Sequence, residues 1–282
     1  MQNVSANLVK ELREITGAAM MDCKKALVET NGDMEAAKDY LQKKGQAKAL
    51  KKSSRETNEG AVGLYISPDK KRGGLVKLAC ETDFVARNDK FQDFIRKVAR
   101  QVAEHGSENL LEQTMDGTTV QASLTQIIAG LGENILLVSS NNYAVQNGMV
   151  SGYVHTNGKI GVLVQLETNE VCDQDALYDL GKDISMHIAA SHAEAISEAE
   201  IDPAVLEKEK SIYKEQAKES GKPDNIIDKM VEGRLSKFKK EVCVNSQPFV
   251  KNPELTVEQL IQNVSKELGV KITFKAFSKY QF

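Results

Sequence analysis

Few side chains of this sequence have the types and spacing that covalent or metal chemistry requires. Ser211 and Lys214 reproduce the S-x-x-K spacing of some hydrolases, in which the serine is the nucleophile. His187 and His192 could ligate a metal, but residues five positions apart do not share one face of a helix. The S-x-x-K match lies in a charged segment without partner motifs. We therefore interpret it as chance, and both histidines as core-edge or surface residues.

The isolated cysteines and the absence of known nucleotide and metal motifs also argue against covalent or metal chemistry. Cys23, Cys80, Cys172 and Cys243 form no C-x-x-C pair, and isolated cysteines usually behave as small buried hydrophobic residues, as in a reducing cytoplasm. The sequence lacks a G-x-x-x-x-G-K-[ST] loop, a G-x-G-x-x-G turn after a strand and an H-E-x-x-H motif. These features favour a binding protein over an enzyme, and we predict no catalytic residue, bound metal or cofactor.

Composition indicates that the partner is a protein. The net charge of -3 and the pI of about 5.9 argue against a general nucleic-acid binder, and the absence of tryptophan disfavours base stacking. No apolar run approaches the ~20 residues of a membrane span, and no secretory signal is expected at the N-terminus. With 282 residues, the chain is expected to form two or three units.

One short segment, Thr82-Asp83-Phe84-Val85, stands out between a predicted hairpin and a predicted helix. Thr82 or Asp83 can cap a turn, whereas Phe84 and Val85 are adjacent and should point in different directions. Phe84 either packs into the local core or forms an apolar wedge beside a carboxylate at the tip of a rigid strand. The chain contains two similar segments, and residues 167–171 occupy in the second the position that residues 81–85 occupy in the first. They include no aromatic residue, so the repeated structure does not itself require the Phe84 ring.

The elements that position this segment begin with three short helices in residues 1–46. Their apolar faces comprise Leu8, Val9, Leu12 and Ile15 in the first helix and Met20, Cys23, Ala26 and Leu27 in the second. Asp33 is predicted to cap the third helix and Gly45 to end it. Residues 47–60 lack an apolar period and are interpreted as a linker, with contact to RNA or to an acidic surface as the alternative.

Two similar α+β units are predicted next. Each begins with a β-hairpin, and Asn157-Gly158 is the strongest hairpin-turn signal in the chain. Asp89 and Gln92 have the spacing of a capping box at the first helix of the first unit. The two units are predicted to close with strands at 135–138 and 270–277.

A charged helical hairpin is predicted to interrupt the second unit. Pro203 suits the first position of one helix, and Ser220-Gly221-Lys222-Pro223 separates it from the returning helix. Narrow apolar seams and heavy charge predict an antiparallel coiled coil that projects from an α+β core. The predicted division is an N-terminal helical module at 1–46, a linker at 47–60, a core N-subdomain at 61–140, a core C-subdomain at 141–195 and 241–282, and the coiled-coil hairpin at 196–240.

The order of motifs resembles that of the elongation factor Ts family. Residues 82–86, Thr-Asp-Phe-Val-Ala, and residues 16–27, Thr-Gly-Ala-Ala-Met-Met-Asp-Cys-Lys-Lys-Ala-Leu, carry the most specific likeness. Further matches follow in the family's order at 132–134, 158–164, 229–234 and 247–250. Together these motifs cover nearly the whole chain.

The resemblance implies a ubiquitin-associated-like N-terminal module and a role as guanine nucleotide exchange factor for elongation factor Tu in cytoplasmic protein synthesis. In the family, an aspartate–phenylalanine pair inserts between helices of that GTPase, dislodges Mg²⁺ and promotes GDP release so that GTP can bind. Carried over, Phe84 is the wedge, and Thr82, Asp83 and Val85 shape the tip.

Further partner-binding residues also follow from the resemblance. Arg13, Met20 and Met21 match positions that grip the GTPase domain, whereas His155 and Val250 match positions near the other contact surface. Assembly of this chain and its partner into a higher-order complex is left open. Binding to a membrane or directly to nucleic acid is not expected. The alternatives are a scaffold or chaperone that only holds a partner, and an RNA-binding translation factor that uses residues 43–55 with salt-sensitive affinity.

Overall fold

The computed structural model describes residues 4–218 and 223–282 and confirms the α+β class. The N-terminal module consists of α1 (Ala6–Thr16), α2 (Met20–Glu29) and α3 (Met34–Lys52). As predicted, the Asp33 side chain caps α3 by accepting a hydrogen bond from the Ala36 N–H at 3.0 Å. Leu12, Cys23 and Leu27 are fully buried and hold the three helices together.

The remaining elements form two units with the same order of parts. The first unit comprises β1 (Glu59–Ile66), β2 (Arg72–Cys80), α4 (Asp83–Ala86), α5 (Asp89–His105), β3 (Thr114–Met115), β4 (Thr118–Thr119), α6 (Val120–Leu131) and β5 (Ile135–Ala144). The second unit comprises β6 (Gly148–Val154), β7 (Ile160–Thr168), α7 (Gln174–Ala190), α8 (Pro203–Lys218), α9 (Asp224–Val242), β8 (Pro248–Phe249), β9 (Asn252–Thr256), α10 (Val257–Leu268) and β10 (Ile272–Gln281).

Both units close their sheets in the same way. The strand orders are β1-β2-β5 and β10-β7-β6, so the closing strand pairs with the second strand of the hairpin in each unit, and all pairs are antiparallel. A two-stranded ribbon, β3-β4 or β8-β9, precedes the last helix of each unit. The repeat therefore extends to parts too short to show in the sequence pattern. The exact boundaries of the predicted units stay predictions.

The two sheets pack face to face, with α5 outside the first sheet and α7 outside the second. The layer between the sheets is built on Val62, Leu75, Val150 and Leu163. A Cβ on Gly161 would lie 2.3 Å from Val62 Cγ1, so the sheets approach this closely only because β7 has a glycine there. On the outer face, a Cβ on Gly74 would lie 2.3 Å from the Ala99 carbonyl oxygen of α5. These strands are covered on both faces: β2 is buried along most of its length, and no residue of β1 is exposed.

The turn of each hairpin is held by the opposite unit. From the β1–β2 turn, Lys70 Nζ lies 3.0 Å from a carboxylate oxygen of Asp175 and 4.4 Å from the ring centroid of Tyr178. Lys71 Nζ donates to the Gly148 carbonyl at 2.7 Å. These contacts tie the first hairpin to α7 and to the start of β6.

The β6–β7 turn makes the reciprocal contact. The Val62 N–H of β1 donates to the Gly158 carbonyl at 2.8 Å, and the Lys159 ammonium pairs with the Glu59 carboxylate of β1. Gly158 has a φ of +70°, a conformation that suits glycine, and Asn157 Oδ1 accepts from the Lys159 N–H, as the predicted turn chemistry requires. Two hairpin turns, each held by the other unit, make one rigid platform.

The helical pair α8–α9 is inserted in the second unit. Leu206 packs near Phe238, whereas Tyr213 packs with Ile227, so the two helices run antiparallel. Pro203 is the first residue of α8, as predicted. The predicted break at Ser220-Gly221-Lys222 lies outside the described residues.

Four predicted boundaries were wrong, and one of them is the closing strand predicted at 270–277, which lies at Ile272–Gln281 along β7. Gly45 does not end α3, which runs on through residues 47–52 of the predicted linker, because the buried glycine packs against α6. A Cβ at Gly45 would lie 3.7 Å from Ala129 Cβ, an ordinary van der Waals distance, so the position packs against α6 without requiring glycine. Asn88, rather than Asp89, caps α5 and accepts from the Lys90 N–H. β5 also extends beyond 138 to Ala144 because it pairs with the whole of β2.

Within the part of the chain that the structure describes, no helix is both long enough and apolar enough to cross a membrane.

Candidate functional site

The segment that stood out in the sequence forms a single helical turn, α4, directly after β2. Thr82 is its N-cap, and its Oγ1 accepts from the Val85 N–H at 3.3 Å. Val85 and Ala86 are buried in the core of the first unit. The Asp83 carboxylate pairs with Arg87 at 3.2 Å along the outer face. The turn is therefore anchored on its inner side and charged on its outer side.

Phe84 is 83% exposed, so its interpretation as a local core residue is wrong. The neighbouring Val85 takes the buried direction instead, which confirms that the two side chains diverge. A phenyl ring at this exposure contributes little to the stability of its own chain, and its apolar surface stays free for a partner. The partly exposed Asp83 carboxylate stands beside it.

Two carboxylates join the end of β2 to the start of β5, and we call Glu81, Thr82, Glu133 and Asn134 the carboxylate brace. Glu133 Oε1 accepts from Thr82 Oγ1 at 2.6 Å, and Glu133 Oε2 accepts from the Thr82 N–H at 3.0 Å. In return, Glu81 Oε1 accepts from the Asn134 N–H at 2.6 Å. The buried Asn134 side chain also donates to the Arg55 carbonyl at 2.9 Å.

Sequence reasoning did not assign Glu81, Glu133 and Asn134 to the site. In the sequence, the Gly-Glu-Asn motif at 132–134 carries only a family likeness. Its position just before the closing strand was the available signal, because β5 starts opposite the end of β2, with Ile135 paired to Cys80.

Cys80 lies beneath this turn and is structural. Its Sγ donates to the Thr82 carbonyl at 3.1 Å, and burial raises the pKa of the Cys80 thiol to about 12. The thiol is therefore neutral at physiological pH and is not a nucleophile. This agrees with its interpretation as a small buried hydrophobic residue.

The second unit reaches the same face through the β6–β7 turn. Asp83 of α4 and Arg87, which caps its C-terminal end, line one side of a cleft of about 440 Å³, and Thr156 and Asn157 line the other. His155, which precedes these turn residues, is exposed, and its Nδ1 lies 3.0 Å from the Tyr153 hydroxyl. The structure thus brings the predicted residue His155 close to the α4 side of the molecule.

The three predicted residues of the N-terminal module are exposed. Met21 is 72% exposed, Met20 is less exposed, and Arg13 is at the surface of α1. Ile15 and Met20, which the helical period places on the apolar faces of their helices, are exposed rather than packed in the core of the module. Met21, the next residue of α2, is exposed as well.

Val250 lies at the turn of the β8–β9 ribbon and is half exposed. Its N–H donates to His187 Nδ1 at 3.2 Å, and His187 Nε2 lies 2.8 Å from Gln247 Oε1. A backbone N–H can only donate, so the proton of the neutral imidazole is on Nε2 and is donated to Gln247. The buried imidazole thereby fixes the ribbon turn that presents Val250, and burial lowers the pKa of His187.

The His187 network predicts a loss of stability in mild acid. The folded state holds His187 with a lowered pKa, whereas the unfolded chain has the ordinary pKa of about 6.5. The unfolded state therefore binds more protons in this range, and the free energy of unfolding falls as the pH drops below about 7 towards the folded pKa. Protonation would also place a donor at Nδ1 against the Val250 N–H.

The measurement is urea unfolding between pH 7.5 and pH 5.5, which is above the main titration of the carboxylates. The His187→Gln variant is expected to lose most of this pH dependence, whereas His105→Gln, a change at an exposed histidine, keeps it. An equal pH dependence in the wild type and in His187→Gln would contradict the prediction.

The family model and three relatives that match this chain all carry the same name. The family model described as "Elongation factor TS" matches residues 81–282. The chain is 45% identical over 282 residues to "Elongation factor Ts" of Clostridium perfringens (strain SM101 / Type A), covering 99% of this chain and 92% of the relative. It is 46% identical to the protein of that name from Brucella anthropi, covering 98% and 91%. It is 43% identical to that from Desulfovibrio desulfuricans, covering 100% and 99%.

Proposed function

This chain belongs to the elongation factor Ts family and is thus a translation elongation factor, and we propose that it is the guanine nucleotide exchange factor for elongation factor Tu. It acts in the cytoplasm on the GDP-bound GTPase. The observation that carries the proposal is the exposed ring of Phe84 on a one-turn helix whose base is anchored. Its role involves binding and displacement, with no bond made or broken by its own side chains.

The proposed mechanism begins with insertion of Asp83 and Phe84 between helices of the GTPase near its Mg²⁺ site. A bound divalent cation is often the largest local charge in such a site, so its displacement weakens the hold on the GDP phosphates. Burial of one phenyl ring in the altered complex supplies about 1.5–3 kcal/mol. Each tenfold faster release needs ~1.4 kcal/mol, so the ring alone accounts for roughly one to two powers of ten.

The other predicted residues supply binding rather than displacement. Arg13, Met20 and Met21 grip the GTPase domain, whereas His155 and Val250 contact a second surface of the partner. The reciprocal hairpin turns support this division because they hold α4 and the second unit on one rigid platform. Because the platform is already rigid, little of the binding energy of the distant contacts is lost to ordering the chain. That binding energy is then available to favour insertion of Phe84.

Exchange requires reciprocal coupling between the two ligands of the GTPase. If the factor weakens GDP binding by a given ratio, GDP weakens binding of the factor by the same ratio. GTP binding then releases the factor for another round. The chain is therefore expected to bind nucleotide-free elongation factor Tu most tightly and to dissociate when GDP or GTP is added.

The test follows fluorescent GDP as it leaves elongation factor Tu in the presence of increasing concentrations of this chain. The release rate is expected to rise and to saturate, and the nucleotide-free complex is expected to co-purify and to dissociate on addition of GDP. Binding without faster release would show a scaffold instead, and salt-sensitive binding to RNA alone would favour the RNA-binding alternative.

A further inference from the structure

We infer that Glu133 is a positioning residue for α4: its carboxylate fixes the direction in which Phe84 leaves the core. This inference rests on the proposed function of Phe84. Glu133 itself lies 51 residues further along the chain from Thr82, at the entry to β5. It acts on the wedge only through Thr82.

The one-turn helix needs an anchor outside its own sequence. α4 has four residues, and a single helical turn is not stable by itself in water. Phe84 packs against little of its own chain, so the burial of Val85 and Ala86 holds only the inner side of the turn. The orientation of the ring then depends on how the N-terminal end of α4 is held.

Glu133 engages both hydrogen-bond donors of Thr82. One carboxylate oxygen accepts the hydroxyl proton at 2.6 Å and the other accepts the backbone N–H at 3.0 Å. Because the hydroxyl proton is directed at Glu133, a lone pair of Oγ1 is left to accept the Val85 N–H at 3.3 Å. Hydrogen bonds to an ionised acceptor are about twice as strong as neutral ones, and bonds in a chain polarise one another.

Glu133 is itself held on rigid structure. The preceding Gly132 ends α6 in the left-handed conformation, with a φ of +85°, and its N–H donates to the Ile128 carbonyl at 3.0 Å. The following Asn134 is buried, and its N–H donates to Glu81. The position of Glu133 is therefore set on both sides, so it can serve as a fixed point for Thr82.

The experiment measures the rate of GDP release against the concentration of Glu133→Ala and of the volume-conserving variant Glu133→Gln. For Glu133→Ala, the maximal rate is expected to fall about fivefold, equivalent to ~1 kcal/mol, while the half-saturating concentration changes less than twofold. Glu108→Ala, a change at an exposed glutamate, is the matched control and keeps the wild-type rate. In a Thr82→Val background, the effect of Glu133→Ala is expected to shrink, because the hydroxyl that it orients is absent.

A second measurement needs no partner and separates this inference from the proposed function. Amide hydrogen exchange at residues 82–86 should accelerate in Glu133→Ala, whereas exchange in α5 stays unchanged. Unchanged exchange at 82–86 would overturn the positioning role. A wild-type rate of GDP release with Glu133→Ala would also overturn it. The same holds for a rise in the half-saturating concentration of Glu133→Ala as large as the fall in its maximal rate. A wild-type chain that fails to accelerate GDP release would remove the proposed function, with the amide result then deciding the positioning role by itself.

Discussion

Replacement of Phe84 by alanine is expected to slow the stimulated release of GDP from elongation factor Tu by about 30-fold, since ~2 kcal/mol of apolar burial is lost at ~1.4 kcal/mol per tenfold in rate. The loss should appear in the maximal rate, because the ring acts in the altered complex rather than in the first encounter. The ring is 83% exposed in the free chain, so the free energy of unfolding should change by less than about 0.5 kcal/mol.

Val171 provides a matched control for this variant. It follows the second hairpin and is 86% exposed, so Val171→Ala removes a similarly exposed apolar side chain from the other unit. We expect this variant to release GDP at the wild-type rate. If Phe84→Ala released GDP as fast as the wild type, Phe84 would have no part in exchange, and a large loss of stability would show that the ring belongs to the core.

Replacement of Met21 by alanine is expected to weaken the complex with nucleotide-free elongation factor Tu by about tenfold, equivalent to ~1.4 kcal/mol. The side chain is 72% exposed at the start of α2, so it has apolar surface to bury against a partner and little to lose from its own core. Isothermal titration of the nucleotide-free GTPase gives the affinity. In GDP release, the half-saturating concentration should rise while the maximal rate stays close to that of the wild type.

Two leucines of the same module provide controls for Met21→Ala. Leu50 is 76% exposed on α3, so Leu50→Ala tests whether loss of any exposed apolar side chain weakens the complex, and we expect no change. Leu27 is fully buried, and Leu27→Ala should instead destabilise the module by about 2–5 kcal/mol. Normal affinity of Met21→Ala would exclude Met21 from the interface.

Local chemistry made part of the fold predictable. Asp33 at a helix start, Pro203 at a first helical position and the Asn157-Gly158 turn each have a backbone preference that does not depend on the rest of the molecule. The structure confirms all three. Where a residue's own conformational preference decides the outcome, the sequence is sufficient.

Tertiary packing decided the positions where prediction was wrong. A glycine such as Gly45 is typical of a helix end, but here it is buried inside α3 where that helix packs on α6. Likewise, the helical period placed Ile15 and Met20 on apolar faces without showing how far the small core of the module extends. A three-helix module has too little interior to bury every apolar residue on its helices.

The candidate site shows the same limit. The motif around Phe84 was visible in the sequence, but the choice between a core ring and an exposed one required the burial of Val85 and Ala86. The carboxylate brace joins two segments far apart in the chain, so no local pattern predicts that Glu133 meets Thr82. Side-chain bonds between distant segments become visible only once the sheet has set their register.

The inserted helical pair leaves and re-enters the second unit at one point. The Val244 N–H donates to the Ala195 carbonyl at 2.9 Å, and Ala195 and Cys243 form a β-bridge. Because the two ends of the α8–α9 insertion are already in contact, the insertion forms an arm attached to the second unit at one point. A change in the length of this arm alters how far it extends. It does not alter the chain closure that the second sheet requires. The reach of this arm is thus free to diverge independently of the exchange apparatus.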